Sequence, residues 1–111
     1  MLRNSTNPMY ARRVDTKHAD IIAELRQIGY SVADTSGVGH SFPDLVVGRN
    51  GMDAKVELKT PRGRKKAYER LSDGQATFAR DWKGSPVIVA YCAEDVHFKF
   101  SLLLKRSGWV K

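Results

Sequence analysis

Two short apolar runs flank the dipeptide Asn50-Gly51, and this one stretch restricts the fold more than any other part of the chain. Asn-Gly suits the two-residue turn whose twist matches paired antiparallel strands, so residues 44–48 (DLVVG) and 54–60 (AKVELKT) read as a hairpin joined by Arg49-Asn50-Gly51. Side chains alternate across a strand. Ala54, Val56 and Leu58 therefore share one face and Lys55, Glu57 and Lys59 the other. The apolar set is expected to face the core, which leaves Glu57 and Lys59 side by side, about 7 Å apart. Asp44 opens the first strand behind Pro43, across from that pair.

The rest of the chain supplies the partners that such a hairpin needs. Ile21, Ile22, Leu25 and Ile28 recur at helical spacing in residues 15–28, and Gly29 stops that helix. Residues 30–35 alternate weakly, as a short strand does, and the glycine-rich SGVGHSFP is a loop. A second helix begins at Ser72, where Ser72 and Gln75 match the Ser-x-x-Gln capping box, carries Phe78 and Trp82 on its inner face, and ends at Gly84. Residues 86–92 (PVIVAYC) form an apolar strand of the kind covered on both faces. Residues 94–111 fit either a helix or a strand, with helix favoured. The order α-β-β-β-α-β-α implies an α/β fold, a three-layer α/β/α sandwich around a central mixed sheet. We expect a flexible basic arm over residues 1–14 and a single domain over 15–111.

Charge narrows the class of partner. Lysine and arginine outnumber acids 19 to 12 among 111 residues, and the excess is clustered. Arg3, Arg12, Arg13 and Lys17 crowd the start; Lys59, Arg62, Arg64, Lys65, Lys66 and Arg70 follow the hairpin; Lys99, Lys105, Arg106 and Lys111 close the chain. Clustered cations attract polyanions by counterion release, which points to nucleic acid. The segment 61–70 is expected to track a DNA backbone through Arg62, Arg64, Lys65, Lys66 and Arg70. Tyr68 within it either packs or stacks on a base. His40 and Ser41, just before Asp44, are within reach of a phosphate in the same reading. One cysteine, Cys92, excludes an internal disulfide and fits a reducing cytoplasm. The longest apolar run, residues 87–93, is too short to span a membrane, and the N-terminus lacks a signal-peptide core, so a cytoplasmic location and no membrane partner are expected.

Two carboxylates that converge across a hairpin offer hard oxygen ligands for Mg²⁺ or Mn²⁺, and a neighbouring lysine can orient a water or neutralise an oxyanion. Alone, Glu-x-Lys on a strand is more often a solvated ion pair. The combination is more specific. The run FPDLVVGRNGMDAKVELKT resembles the core motif of PD-(D/E)XK nucleases, in which an acid follows proline and Glu-x-Lys lies on the next strand. Its layout is similar to the small virus-type replication–repair (VRR-NUC) nucleases, many of them short phage proteins, and to the Holliday junction resolvases of archaea. The likeness extends over LRQIG, GVGHSFPD, LSDGQ and YCAEDV, roughly residues 15–96.

This resemblance implies a restriction-endonuclease-like core and a phage-encoded, metal-dependent DNA endonuclease, structure-selective in the manner of a junction-resolving enzyme. Asp44, Glu57 and the Leu58 backbone carbonyl would hold the metal, and Lys59 would serve the attacking water. Gln75 fits a glutamine often found in the following helix, although the capping box explains it equally well. Such nucleases usually carry a further glutamate in the first helix. Here Asp20 and Glu24 lie beside the apolar stripe, and His18 falls at the glutamate's position, with Asp15 next. The expected partner is DNA, branched DNA included. A homodimer joined through HFKFSLLL is a further expectation, unless that segment completes the core. The competing expectations are a non-catalytic DNA-binding module on a degenerate nuclease fold and a small basic RNA-binding protein.

Overall fold

The computed structural model describes residues 10–60 and 71–107, with residues 10–16 by backbone alone. Helix α1 (Tyr10–Gln27) leads into β1 (Ser31–Asp34), β2 (Leu45–Arg49) and β3 (Met52–Leu58), followed by α2 (Asp73–Asp81), β4 (Ile88–Ala90) and α3 (Ala93–Ser107). The strands form one mixed sheet in the order β1-β2-β3-β4, with the first three antiparallel and β4 parallel to β3. Helices flank it on both faces, in the expected element order. Among the described residues, no helix is long and apolar enough to cross a membrane.

The hairpin turns where the sequence placed it. Asn50 (φ 55°) and Gly51 (φ 80°) are both left-handed, and Arg49 pairs with Met52 across the turn. Leu45, Val47, Ala54 and Val56 are fully buried on one face, as strand parity requires. They pack with Ile21, Ile22 and Leu25 of α1 and with Ala93, Val96, Phe100 and Leu104 of α3 in a single apolar cluster. Residues 94–111, left between helix and strand by sequence, are helical as far as Ser107.

Several boundaries shift. Helix α1 starts at Tyr10, so the last five residues of the expected arm are helical, while residues 1–9 lie outside the described part of the chain. Ile28 falls past the helix end and is exposed rather than part of the apolar stripe. Strand β4 is three residues long, not the seven of PVIVAYC. Trp82 caps α2 from outside, so the helix stops before Gly84.

One cluster has no local sequence signal. The Tyr30 hydroxyl meets His97 Nδ1 at 2.6 Å, and the Arg49 guanidinium lies 5.1 Å from the Tyr30 ring centre and 3.4 Å from His97 Nδ1. It ties the first strand, the hairpin and α3 together at the turn end of the sheet, the end opposite Asp44.

Candidate active site

Asp44 sits just before β2, where its carbonyl accepts from Thr35 N (2.8 Å) and its carboxylate Oδ2 accepts from Leu58 N (2.9 Å). A strand residue turns its N–H and C=O toward the same neighbour. The Leu58 carbonyl therefore lies on Asp44's side of β3. Glu57 occupies the opposite parity to Val56 and Leu58 on an interior strand, register-paired with Val89 of β4, and only 5% of it is exposed.

Three side chains converge there. Gln75 Nε2 donates to Glu57 Oε2 at 2.7 Å, and Gln75 Oε1 accepts from Lys59 Nζ at 2.9 Å. Lys59 Nζ lies 4.0 Å from the same Glu57 oxygen. Gln75 is also the capping glutamine of α2: its Oε1 accepts from Ser72 N (2.9 Å), and Ser72 Oγ accepts from Gln75 N (3.2 Å). One amide thus closes the cap of α2 and bonds both Lys59 and Glu57. Its oxygen's two lone pairs serve the helix start and the lysine, while its nitrogen serves the buried acid.

Burial pushes the Glu57 carboxyl up to about 7. The charge of Asp44 and a hydrogen bond shared with it push the same way, and Lys59 opposes them. Two carboxylates thus face each other with one ammonium, that of Lys59, beside them, a short supply of positive charge. That donor set fits a hard divalent cation, which binds through one or two carboxylates and keeps waters or phosphate oxygens for the rest. The residues that fit are Asp44, Glu57 and the Leu58 carbonyl. Among the described residues, no three His, Cys, Asp or Glu side chains come together as a metal group.

Among its described side chains, the first helix contributes no acid to this cluster. Asp20 and Glu24 are exposed. His18 points to the end of β1, with Nε2 3.8 Å from Asp34 Oδ1. It makes no ion pair or hydrogen bond with Asp44 or Glu57. Asp34 registers with Leu45, whose parity is that of the core face, so His18 belongs to the α1 side of the sheet. Asp15 has no described side chain.

The loop ahead of Asp44 is built under strain. Gly39, His40 and Ser41 run consecutively through left-handed backbone, at φ 84°, 56° and 63°. Each non-glycine residue there costs on the order of 1 kcal/mol, offset by what the loop then packs against. Ser41 Oγ presses on Gly74 in the first turn of α2, where any Cβ would collide with it. Phe42 meets Phe78 edge-on at 5.4 Å, Phe78 stacks on Trp82 at 5.2 Å, and Lys55 Nζ sits 4.1 Å from the Trp82 ring centre. Sequence reasoning missed this row. Its signal was the spacing of Phe78 and Trp82 together with Lys55 on the polar face of β3. His40 is exposed, and Ser41 Oγ fills the space that a Cβ on Gly74 would need.

Arg62, Arg64, Lys65, Lys66, Tyr68 and Arg70 lie outside the described residues. The described ends of that segment, Thr60 and Leu71, adjoin Lys59 and Ser72, both bonded to Gln75. No family model, curated protein or solved structure matches this chain.

Proposed function

We propose that this chain is a metal-dependent DNA endonuclease of the PD-(D/E)XK type, on a restriction-endonuclease-like core, with Asp44, Glu57 and Lys59 as its chemical residues. The observation that carries the reading is the buried Glu57 carboxylate, held beside Asp44 and in reach of Lys59 by the Gln75 amide. A carboxylate rarely occupies such a place for stability alone, because burying a charge beside a like charge costs folding free energy.

A divalent ion, when bound, supplies a water activated near neutral pH and a charge that offsets the phosphate's. The chain's own residues do the rest. Glu57 and Asp44 would hold the ion through their carboxylates and Leu58 through its backbone carbonyl, with the proton of Glu57 released to solvent when the ion binds. Lys59 keeps its ammonium aimed at the same oxygens because Gln75 Oε1 fixes its tip, ready to orient the attacking water or stabilise the developing oxyanion. Lys59 and Ser72, which lie on either side of the basic segment 61–70 in sequence, both bond to Gln75, and the charges of that segment suit DNA phosphates. Phage origin, cytoplasmic location and selectivity for branched DNA belong to the same proposal.

A second reading, a DNA-binding module without catalysis, draws on the His18–Asp34 contact, which leaves two carboxylates in the cluster among the described residues. One experiment separates the two. Supercoiled, single-stranded and four-way-junction DNA are incubated with the protein in Mg²⁺, Mn²⁺ or EDTA, beside Asp44→Ala and Lys59→Ala. The nuclease cuts only with metal and loses cutting in both variants. Binding without cutting in every metal identifies the module. A preference for folded RNA, unaffected by Asp44→Ala, identifies an RNA-binding protein instead.

A further inference from the structure

Lys55 and Glu57 of β3, and Lys59 just after it, alternate onto the face under α2. Helix α2 fixes the two lysines from its two ends. Gln75 in its first turn accepts from Lys59 Nζ, and Trp82, its C-cap, holds its ring centre 4.1 Å from Lys55 Nζ. Lys59 also lies beside the Glu57 carboxylate, but Lys55 has no such partner. It is half-buried, and among the described residues it forms no ion pair, not even with Asp53, exposed two positions earlier on the same face. A ring face attracts the charge of an ammonium and uses none of its three N–H donors as a hydrogen bond to oxygen would. The Lys55 tip is thus held in place with its donors unspent. Access to it is open. The row of Lys55 crosses the sheet through Val46 to Ala33, and the next row runs from Asp53 through Gly48 to Ser31. On β1 and β2 no side chain in these rows is larger than valine, and Ser31 and Ala33 are exposed. The strip continues to Asp44, which precedes β2 with the same parity as Val46.

We propose that Lys55 contacts a backbone phosphate of a DNA strand that runs from Asp44 and Glu57 over β2 toward the hairpin turn, with Trp82 as the positioning residue that holds its ammonium there. The inference rests on the nuclease reading and gives it a direction. Lys55 and Lys59 stand four residues apart, about 13 Å along an extended chain, so they engage different phosphates. At about 3.4 Å of rise per nucleotide of one strand, that separation corresponds to about four nucleotides of a duplex. The contact of Lys55 supplies affinity and alignment, since phosphate contacts fix the register of a strand without reading its bases. Trp82 acts through Lys55 alone. Its ring restricts a long, flexible side chain before DNA arrives, so less freedom is lost when the phosphate binds.

The test is the affinity of the full chain for a fluorescein-labelled duplex oligonucleotide in EDTA, read by fluorescence anisotropy over a series of KCl concentrations. Circular dichroism melts confirm that each variant is folded. Lys55→Gln is expected to weaken binding about fivefold to tenfold at about 0.1 M salt and to reduce the slope of log affinity against log salt by about 0.9, the share of one phosphate. Lys55→Arg keeps the charge and should keep the slope. Lys105→Gln removes the same charge from α3, on the other face of the sheet, and should leave the slope near wild type. Trp82→Leu is expected to weaken binding about twofold to fivefold with Lys55 intact, and Trp82→Phe, which restores a ring face, to recover it. The proposal is overturned by a wild type without affinity for the duplex, by an unchanged slope in Lys55→Gln, or by an equal loss in Lys105→Gln. A Trp82→Leu variant that melts lower but binds as wild type overturns the role of the ring. Binding in EDTA needs no cutting, so a protein that passes these measurements yet never cuts with metal overturns the nuclease reading and leaves the phosphate contact standing.

Discussion

Under α1 and α3 the sheet presents Leu45, Val47, Ala54 and Val56, none with any exposed surface, and the helices return Leu25, Val96 and Phe100 in kind. Under α2 the neighbouring positions are Asp44, Lys55, Glu57 and Lys59, and α2 has no buried residue of its own. One side is held by apolar area, which is additive and tolerant of small shifts. The other is held by a few directed hydrogen bonds and a row of half-covered rings, which fix positions to tenths of an ångström but contribute little net stability. Stability and the proposed chemistry thus lie on opposite faces of the same strands, and each face should fail in its own way.

Phe100→Ala should give the largest effect, a loss of about 3–5 kcal/mol of unfolding free energy in urea titrations, with the site chemistry of the folded fraction retained. A mild loss would mean that the apolar face is less tightly filled than its zero exposure indicates. On the other face, Lys59→Ala should lower the DNA cleavage rate about 100-fold or more while the thermal midpoint stays near wild type. Were the melt to drop and the rate to hold, the division between the two faces would be reversed.

The next effect concerns pH in the absence of metal. Between about 4.5, the ordinary value, and about 7, the folded protein keeps a proton on Glu57 that the unfolded chain has released. The native state therefore binds more protons in this window, and stability falls as pH rises through it. Melts in EDTA should show that slope in wild type and lose it in Glu57→Gln. A stability that rises with pH, or an unchanged slope in Glu57→Gln, would show that the carboxyl is not held protonated. The smallest effect divides the α2 cap. Ser72→Ala should cost about 1 kcal/mol and leave cleavage nearly intact, whereas Gln75→Ala should cost a similar amount and also lower the cleavage rate about tenfold or more. Equal rates in the two variants would confine Gln75 to capping.

Much of the apolar face was legible because its signals are local. Alternation assigned Ala54 and Val56 to the core, Asn50-Gly51 marked the turn, and the i, i+4 pattern of Ile21 and Leu25 marked α1. The trio of the site followed from the same parity rule. What stayed hidden depended on distant pairings. That Glu57 is buried follows from β4 and α2 arriving beside it, thirty-two and eighteen positions downstream at Val89 and Gln75. Tyr30, Arg49 and His97 meet across as many as 67 positions, and nothing near His97 announces this. His18 was placed by likeness to a glutamate, but Asp34, exposed at the end of β1, lies nearer to its ring. The early start of α1 at Tyr10 ran through Arg12 and Arg13, whose charges read as a solvated arm although arginine is a good helix former.

The hydrogen bonds of Gln75 also define which substitutions the position can accept. Its oxygen must accept twice and its nitrogen must donate to a carboxylate. Glutamate preserves the cap but has no donor for Glu57 when ionised, and would bring a third negative charge. Asparagine has the right head on a stem one carbon too short. Lysine donates but cannot close the cap. Only a primary amide at glutamine's reach carries all three bonds, so among chains sharing this arrangement the position should drift less than its half-exposed surroundings, and its loss should mark the lineages in which the site has fallen out of use.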